Sequence, residues 1–415
     1  MDRIGIELEE AVSLILEHTK QIAETETLSL FEAHGRILAE PVLADHDNPP
    51  FPRSPLDGYA FAARFSVGAR ADAPAVMQVA GCIYAGQYRR EPVPAGSAVR
   101  IMTGAPIPEG CDCVIRLEDV EVLPSPEAPE DLASGRVKIP MELQPWQNYC
   151  FQGEDYRQGT LMAEAHSVID SATMGILASV GRTSVTVFRK PRVALFVTGD
   201  ELAEPGRPLP PGKLYGSNLH LLYGRLLELG AKIIKAATVS DDPQAVAAEI
   251  QNARAAGADL IVTTGGVSVG DKDIFHQVLP VLGAERLFWR VRMKPGTPAM
   301  FALYEGMPML HLSGNPFAAL VTFDLLARPA VEKLGGNANQ ALRRISAVVD
   351  QAFSKASGQR RLIRGFCEQG HVCVPSTDAH ASGILASMKG CNCLIDIPAG
   401  TPPLAAGDAV EVILL

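Results

Sequence analysis

At 415 residues the chain is long for a single hydrophobic core and predicts two to four domains. Apolar residues make up 47% and charged residues 20%, a globular composition that excludes disordered, collagen-like and coiled-coil classes. With 47 acidic against 37 basic residues the net charge is −10, which excludes a broad nucleic-acid or anionic-membrane surface, so an anionic ligand needs a local cluster of cations.

Met1 to Glu10 carries acids where a signal peptide needs bases, and no charge-free apolar run approaches the ~18 residues of a membrane helix, so a soluble cytoplasmic protein is expected. Residues 1 to about 48 read as helix, with Ala11, Leu14, Ile15 and His18 on one face and a stop at Asp47-Asn48-Pro49-Pro50. From about 51 to 140, short apolar runs such as Ala75 to Ala80 and Ala98 to Met102 alternate with Pro and Gly turns, the pattern of a β-rich module. A helical segment follows at about 169 to 180. Between 190 and 335 the strand candidates Val193 to Val197, Ile233 to Thr238, Leu260 to Thr264 and Met309 to Leu312 alternate with helices, which predicts an α/β domain on a mostly parallel sheet. Its clearest helix is N-capped by Ser217, carries Leu219, Leu222, Leu226 and Leu229 on one stripe, and stops at Gly230. Strands return from about 340 in Arg344 to Val349, Val372 to Pro375 and Asp408 to Leu414, predicting a small terminal β domain.

Eight cysteines are too sparse for a disulfide framework, and the pairs Cys111/Cys113 and Cys391/Cys393 lack zinc or redox spacing, so buried thiols are expected. Nine histidines without an H-x-x-x-H pattern direct any metal to oxygen ligands.

In an open α/β sheet the ligand sits beyond the carboxyl ends of the strands. The four strand candidates run into Thr198-Gly199-Asp200-Glu201, Ser240-Asp241-Asp242-Pro243, Gly265-Gly266-Val267-Ser268-Val269-Gly270 and Ser313-Gly314-Asn315-Pro316. Glycine-rich turns and helix N-termini suit a phosphorylated ligand, and Asp200, Glu201, Asp241, Asp242, Asp271 and Asp273 suit the Mg²⁺ that accompanies phosphates. Asp241-Asp242-Pro243 is equally an ordinary helix start with Pro at its first position. Lys294, within Arg290 to Pro298, is a candidate oxyanion clamp or a solvated edge charge, and Arg360, Arg361 and Arg364 pose the same alternatives. In the β-rich region Asp57 occupies a tight turn, while Thr103-Gly104-Ala105-Pro106 and Gly153-Glu154-Asp155 form similar polar turns.

Taken together, Asp57-Gly58-Tyr59-Ala60, Arg100 to Pro106, Gly153-Glu154-Asp155, Thr198 to Leu202, Gly265 to Gly270, Met293-Lys294-Pro295-Gly296 and Gly314-Asn315-Pro316 stand in the order found in molybdopterin molybdenumtransferases. Over essentially its whole length the chain resembles that MoeA and gephyrin E-domain family. The resemblance implies an elongated four-domain subunit: a helical linker domain (1–48 and 141–178), a β-rich domain (49–140), an α/β molybdopterin-binding domain (179–335) and a C-terminal β-barrel (336–415). It also implies a homodimer whose cleft joins the α/β domain of one subunit to the β-rich domain of the other, and is compatible with partnership with the molybdopterin adenylyltransferase. The implied reaction takes adenylylated molybdopterin and molybdate, uses Mg²⁺, and releases AMP and molybdenum cofactor.

By motif position the resemblance assigns catalytic roles to Asp57, Thr103, Asp155, Glu201, Asp241, Asp273 and Lys294, with Asp241, Asp242 and Asp273 as metal ligands. Substrate binding falls to Gly199, Asp200, Gly265, Gly266, Ser268, Gly270, Thr297, Pro298, Ser313, Gly314, Asn315, Arg364 and Ser382. The chain departs from the family where Thr297 and Arg290 replace lysines, Ser313 a proline and Gly216 an aspartate, and where Tyr149-Cys150-Phe151-Gln152 replaces an arginine-rich run. A weaker oxyanion pocket is therefore expected, with Arg290 or Arg292 as the groups placed to compensate. A tungstate-preferring paralogue, the related adenylyltransferase and a non-catalytic molybdopterin-binding scaffold are the competing readings.

Overall fold

The computed structural model describes residues 3–127, 131–267, 274–338, 342–374 and 381–415. The chain divides into two compact units, one of residues 1–40, 165–174 and 183–415, the other of residues 41–164 and 175–182.

The larger unit is built on a seven-stranded sheet in the order Arg3–Ile6, Glu285–Val291, Met300–Tyr304, Met307–Leu312, Leu260–Thr264, Arg192–Thr198, Lys232–Val239. Four neighbour pairings are parallel and two, on either side of Met300–Tyr304, are antiparallel. Side chains alternate between faces along each strand, so Val193 and Leu195 enter one core while Ala194 and Phe196 enter the other. The first core is covered by Ala11, Leu14 and Ile15 of helix Leu8–His18, Leu222 and Leu226 of helix Asn218–Glu228, and Phe317 and Val321 of helix Pro316–Thr322. The second is covered by Val246 and Ile250 of helix Pro243–Ala255 and Val278 of helix Phe275–Leu282. With both faces covered, the strands become the continuous apolar runs visible in the sequence.

The reading of residues 1–48 as helix does not hold. Helix is confined to Leu8–His18; Arg3–Ile6 is an edge strand parallel to Glu285–Val291, and Thr25–Ser29 pairs antiparallel with Ser184–Phe188. The helix ends where Thr19 Oγ1 donates to the Ile15 carbonyl, and β-branched Thr25 and Thr27 then favour the extended chain. Residues 141–178 likewise carry helix only from Ser171, in Ser171–Ser179. The other helix starts follow local chemistry unevenly. Asp242 caps Pro243–Ala255, accepting from Gln244 N at 3.2 Å, whereas the Ser217 side chain makes no cap hydrogen bond.

Strands Arg344–Val349, Arg360–Glu368, His371–Cys373, Cys393–Ile397 and Ala409–Leu414 close into a barrel, because Arg360–Glu368 pairs with both His371–Cys373 and Cys393–Ile397. Val349, Phe353, Ile363, Val372, Ile395 and Val412 fill it. Leu362, Leu394 and Ile413 project instead into the first core of the α/β sheet, so barrel and sheet share apolar packing. Pro375, the predicted end of one strand, lies outside the described residues. The two residues Met293–Lys294 leave the sheet and add to the barrel in parallel, aligning Met293 with Arg360 and Lys294 with Arg361.

The smaller unit holds a six-stranded sheet in the order Cys113–Arg116, Gly58–Phe61, Ser97–Ile101, Ala75–Ile83, Arg136–Ile139, Glu121–Leu123. Gly58 is required for close approach, since a Cβ there would lie 1.8 Å from the Ile115 carbonyl oxygen. Cys111, Cys113 and Cys393 are buried, and burial pushes the thiols of Cys111 and Cys393 up to about 12. Among the described residues no helix is long and apolar enough to cross a membrane.

Candidate active site

The carboxyl ends of the central strands enclose a cavity of about 590 Å³. Thr198 and Gly199 enter it from the first strand, Thr264, Gly265 and Gly266 from the second, Ser313, Gly314 and Asn315 from the third, and Asp241 from the loop before helix Pro243–Ala255. Gly265 has φ +92°, and a Cβ on it would lie 2.5 Å from the Thr198 carbonyl oxygen, so only glycine lets these strand ends meet. The loops also hold one another. Asp241 Oδ2 accepts from Asp200 N at 3.1 Å while Asp200 Oδ1 accepts from Asp241 N at 3.2 Å, and Lys213 Nζ donates to the Asp200 carbonyl.

Glu201 and Asp241 are the charged groups of this cavity, and its described lining contains no cation. Hard carboxylate oxygens of this kind fit Mg²⁺, which takes one or two carboxylates and completes its shell with water and phosphate. Among the described residues no three Asp, Glu, His or Cys side chains converge on a metal position. Asp242, expected as a ligand, is occupied as a helix cap, and Ser268, Gly270, Asp271 and Asp273 lie outside the described residues.

Two buried polar groups at this cavity point to a ligand. Thr198 is 4% exposed and Asn218 6%, yet Thr198 Oγ1 and Asn218 Oδ1 have no hydrogen-bond partner among the described residues. An unpaired buried acceptor costs roughly 1–3 kcal/mol, which a bound donor recovers. Sequence reasoning missed Asn218, treating Ser217 as the meaningful residue. Its Nδ2 donates to the Gly314 carbonyl at 2.7 Å, tying the helix start to the last strand-end loop.

Pro298, Ser313 and Asn315 also line a second cavity of about 780 Å³. Its charged lining groups are Lys294, Lys355 and Arg361, and its described lining contains no carboxylate. Ser382 lies here too; Asn315 Nδ2 donates to its Oγ at 3.1 Å, and Phe317 N to its carbonyl at 3.0 Å. Arg364 is fully buried rather than open to the cavity. It donates to the carbonyls of Ala381 and Ile384, both at 2.8 Å, and to Ser387 Oγ, with its guanidinium 3.7 Å from the Phe317 ring centroid. Burial lowers its pKa, though a guanidinium stays protonated. Arg364 therefore positions the segment bearing Ser382.

Two expectations about compensating charge need correction. The Thr297 hydroxyl donates to the Met293 carbonyl within its own turn, so its proton is not directed at a ligand. Arg292 pairs with Glu7 at 3.1 Å and Arg290 packs 5.7 Å from the Trp289 ring centroid; neither lines the cavity of Lys294.

In the smaller unit, Asp57 Oδ1 accepts from both N and Oγ1 of Thr103 at 2.7 Å, which holds the Asp57 carboxyl below its usual pKa. Asp155 Oδ2 accepts from Asn48 Nδ2 at 2.9 Å, and Glu154 accepts from Phe151 N at 2.9 Å. Tyr149 and Phe151 of the segment Tyr149-Cys150-Phe151-Gln152 cluster with Trp146, the ring centroids lying 4.9 to 5.5 Å apart.

A further cavity of about 1080 Å³ contains Arg292, Arg360, Glu7, Asp396 and Glu411, but these charges serve one another, as in Arg360–Asp396 at 2.6 Å. It offers no unbalanced charge to a ligand.

Comparison with known proteins accords with this geometry. The families described as "MoeA N-terminal region (domain I and II)", "Probable molybdopterin binding domain" and "MoeA C-terminal region (domain IV)" match residues 6–181, 194–333 and 346–415. Molybdopterin molybdenumtransferase of Bacillus subtilis is 33% identical over 415 residues, covering 100% of this chain and 95% of its own. That of Haemophilus influenzae is 35% identical over 412 residues, covering 98% and 97%. The molybdopterin biosynthesis MoeA protein of Pyrococcus horikoshii OT3 superposes with a TM-score of 0.84 at 27% identity, covering 99% of this chain and 100% of that one. With an acid-lined strand-end cavity adjoining a cation-lined one, and with relatives matching along its full length, the chain belongs to the molybdopterin molybdenumtransferase family.

Proposed function

We propose that the protein inserts molybdate into adenylylated molybdopterin with release of AMP, as a Mg²⁺-dependent, homodimeric, cytoplasmic enzyme. The observation that carries this reading is the meeting of two cavities of opposite charge at Pro298, Ser313 and Asn315. A substrate joining a phosphoanhydride to a dithiolene needs a cation-binding pocket for the first and an oxyanion beside the second. Glu201 and Asp241 hold the metal, which when bound neutralises phosphate charge. The Gly199, Gly265 and Gly314 turns bring backbone close to the cavity, and Asn218 Oδ1 and Thr198 Oγ1 are open to ligand N–H or O–H groups. Lys294 holds the oxyanion and Ser382 and Asn315 position it. In this reading water adds to the adenylyl phosphorus and the phosphoanhydride opens, giving AMP. The two thiols then bond to molybdenum as one oxide leaves with their protons as water.

Incubation of the purified protein with adenylylated molybdopterin, Mg²⁺ and molybdate tests it by AMP release. Metal-dependent AMP formation is expected; none in the presence of both substrates would refute transferase activity. Replacing molybdate by tungstate in the same assay decides which oxyanion the pocket prefers.

A further inference from the structure

The geometry points to Arg361 and Lys355, both from the C-terminal barrel domain, as oxyanion-binding residues that supply the positive charge missing from the Lys294 turn. This rests on the proposed function for the identity of the anion, but the placement of charge stands independently.

Position 297 carries a threonine whose hydroxyl is engaged by Met293, and neither Arg290 nor Arg292 lines the cavity. Lys294 is then the only cation of its own turn that does. The barrel makes up the difference. Because Met293–Lys294 adds to the barrel as a parallel strand, Lys294 and Arg361 are register partners. Paired positions on adjacent strands lie about 5 Å apart and project to the same side. Both side chains therefore rise from neighbouring backbone positions into one cavity, where an anion between them lowers their mutual repulsion. No carboxylate among the described lining residues offsets them, and neither Lys294, Lys355 nor Arg361 forms an ion pair among the described residues. The neighbouring arginine shows the contrast: Arg360, one residue earlier on the same strand, is neutralised by Asp396 and Glu9.

Arg361 is also held in readiness. Its guanidinium lies 5.7 Å from the Phe353 ring centroid, and its buried Nε has no hydrogen-bond partner among the described residues. Its Nη2 donates to the Ala356 carbonyl at 3.4 Å, which leaves the Nε and Nη1 donors for an oxyanion. Lys355, an exposed residue of the same cavity lining, adds a third charge. Three cations in a pocket whose described lining holds no acid match a tetrahedral dianion and oppose the −10 charge of the whole chain locally.

The test is calorimetric titration of the full-length protein with sodium molybdate alone at fixed ionic strength, comparing wild type with Arg361→Met, Arg361→Lys and Lys355→Met, alongside AMP release. Arg361→Met should weaken molybdate binding about 10-fold and Lys355→Met about 3-fold, with Arg361→Lys retaining most of the affinity. Lys355→Met changes an exposed side chain, so it decides the matter should Arg361→Met fail to fold. Wild-type molybdate affinity in both Met variants, or no molybdate binding by the wild type, would overturn the inference. If the variants bind normally while the wild type releases AMP, the inference falls and the proposed function stands. If binding depends on Arg361 and Lys355 but no AMP is formed, the reverse holds.

Discussion

Asp200 and Asp241, at the ends of adjacent parallel strands, cap each other's backbone N–H groups at 3.1 and 3.2 Å. Each carboxylate spends one oxygen on the loop, and Asp241, which lines the cavity, keeps its other for a ligand. Asp241→Ala removes both functions and should abolish Mg²⁺-dependent AMP release. Loss of one exposed hydrogen bond should cost about 1 kcal/mol of stability. Asp241→Asn retains an acceptor and should preserve the urea midpoint while still impairing activity through loss of charge. Full activity in Asp241→Asn would mean that the carboxylate does not serve the metal.

Gly265→Ala should be severely destabilising for its size. The positive φ and the approach of the Thr198 carbonyl both oppose a Cβ, with a combined cost of about 2 kcal/mol or more. Chemical denaturation measures it, and a shift below about 0.5 kcal/mol would contradict the close loop packing.

Burial couples stability to pH through His311. Its imidazole is fully buried on the central strand, packs tilted with its centroid 4.0 Å from that of the Phe275 ring, and has its pKa lowered by burial to about 3. The folded value lies below the ordinary 6.5, so the unfolded chain binds the extra proton between the two. Stability from this group is present above pH ~6.5 and is lost as pH falls toward 3, by about 1.4 kcal/mol per pH unit inside that window. His311→Gln should flatten the acid limb of the stability profile measured by urea titration from pH 6.5 to 4.5.

Arg225 and Asp324 join helix Asn218–Glu228 to the wide π-type turn Phe323–Ala327, with Asp324 fully buried. Removing the arginine leaves a buried carboxyl without its partner, and burial already raises the Asp324 pKa. Arg225→Leu should cost about 3 kcal/mol, and Arg225→Leu/Asp324→Leu should recover much of it. With Asp324→Leu completing the cycle, a loss in the double variant equal to the sum of the two single losses would show that the pair has no coupling.

Features depending on nearby residues were legible from the chain alone. The Asp242 cap before Pro243, the leucine stripe of helix Asn218–Glu228 and the apolar runs of the central strands depend on spacings of two to four residues, where backbone geometry fixes which side chains meet. The ordered motif strings likewise identified the family that the full-length relatives show. Partners distant in sequence were not legible. Arg3–Ile6 carries no helical or strongly apolar signal and becomes a strand because Glu285–Val291 offers it an open edge. Thr297 reads as an available hydroxyl until its turn places Met293 in reach, and Arg361 reads as one more surface arginine until a parallel register sets it beside Lys294. Local sequence determines which conformation a segment prefers and which chemical groups it carries. Only packing decides which groups face each other, because hydrogen bonds and charges gain their value from what occupies the few ångströms around them.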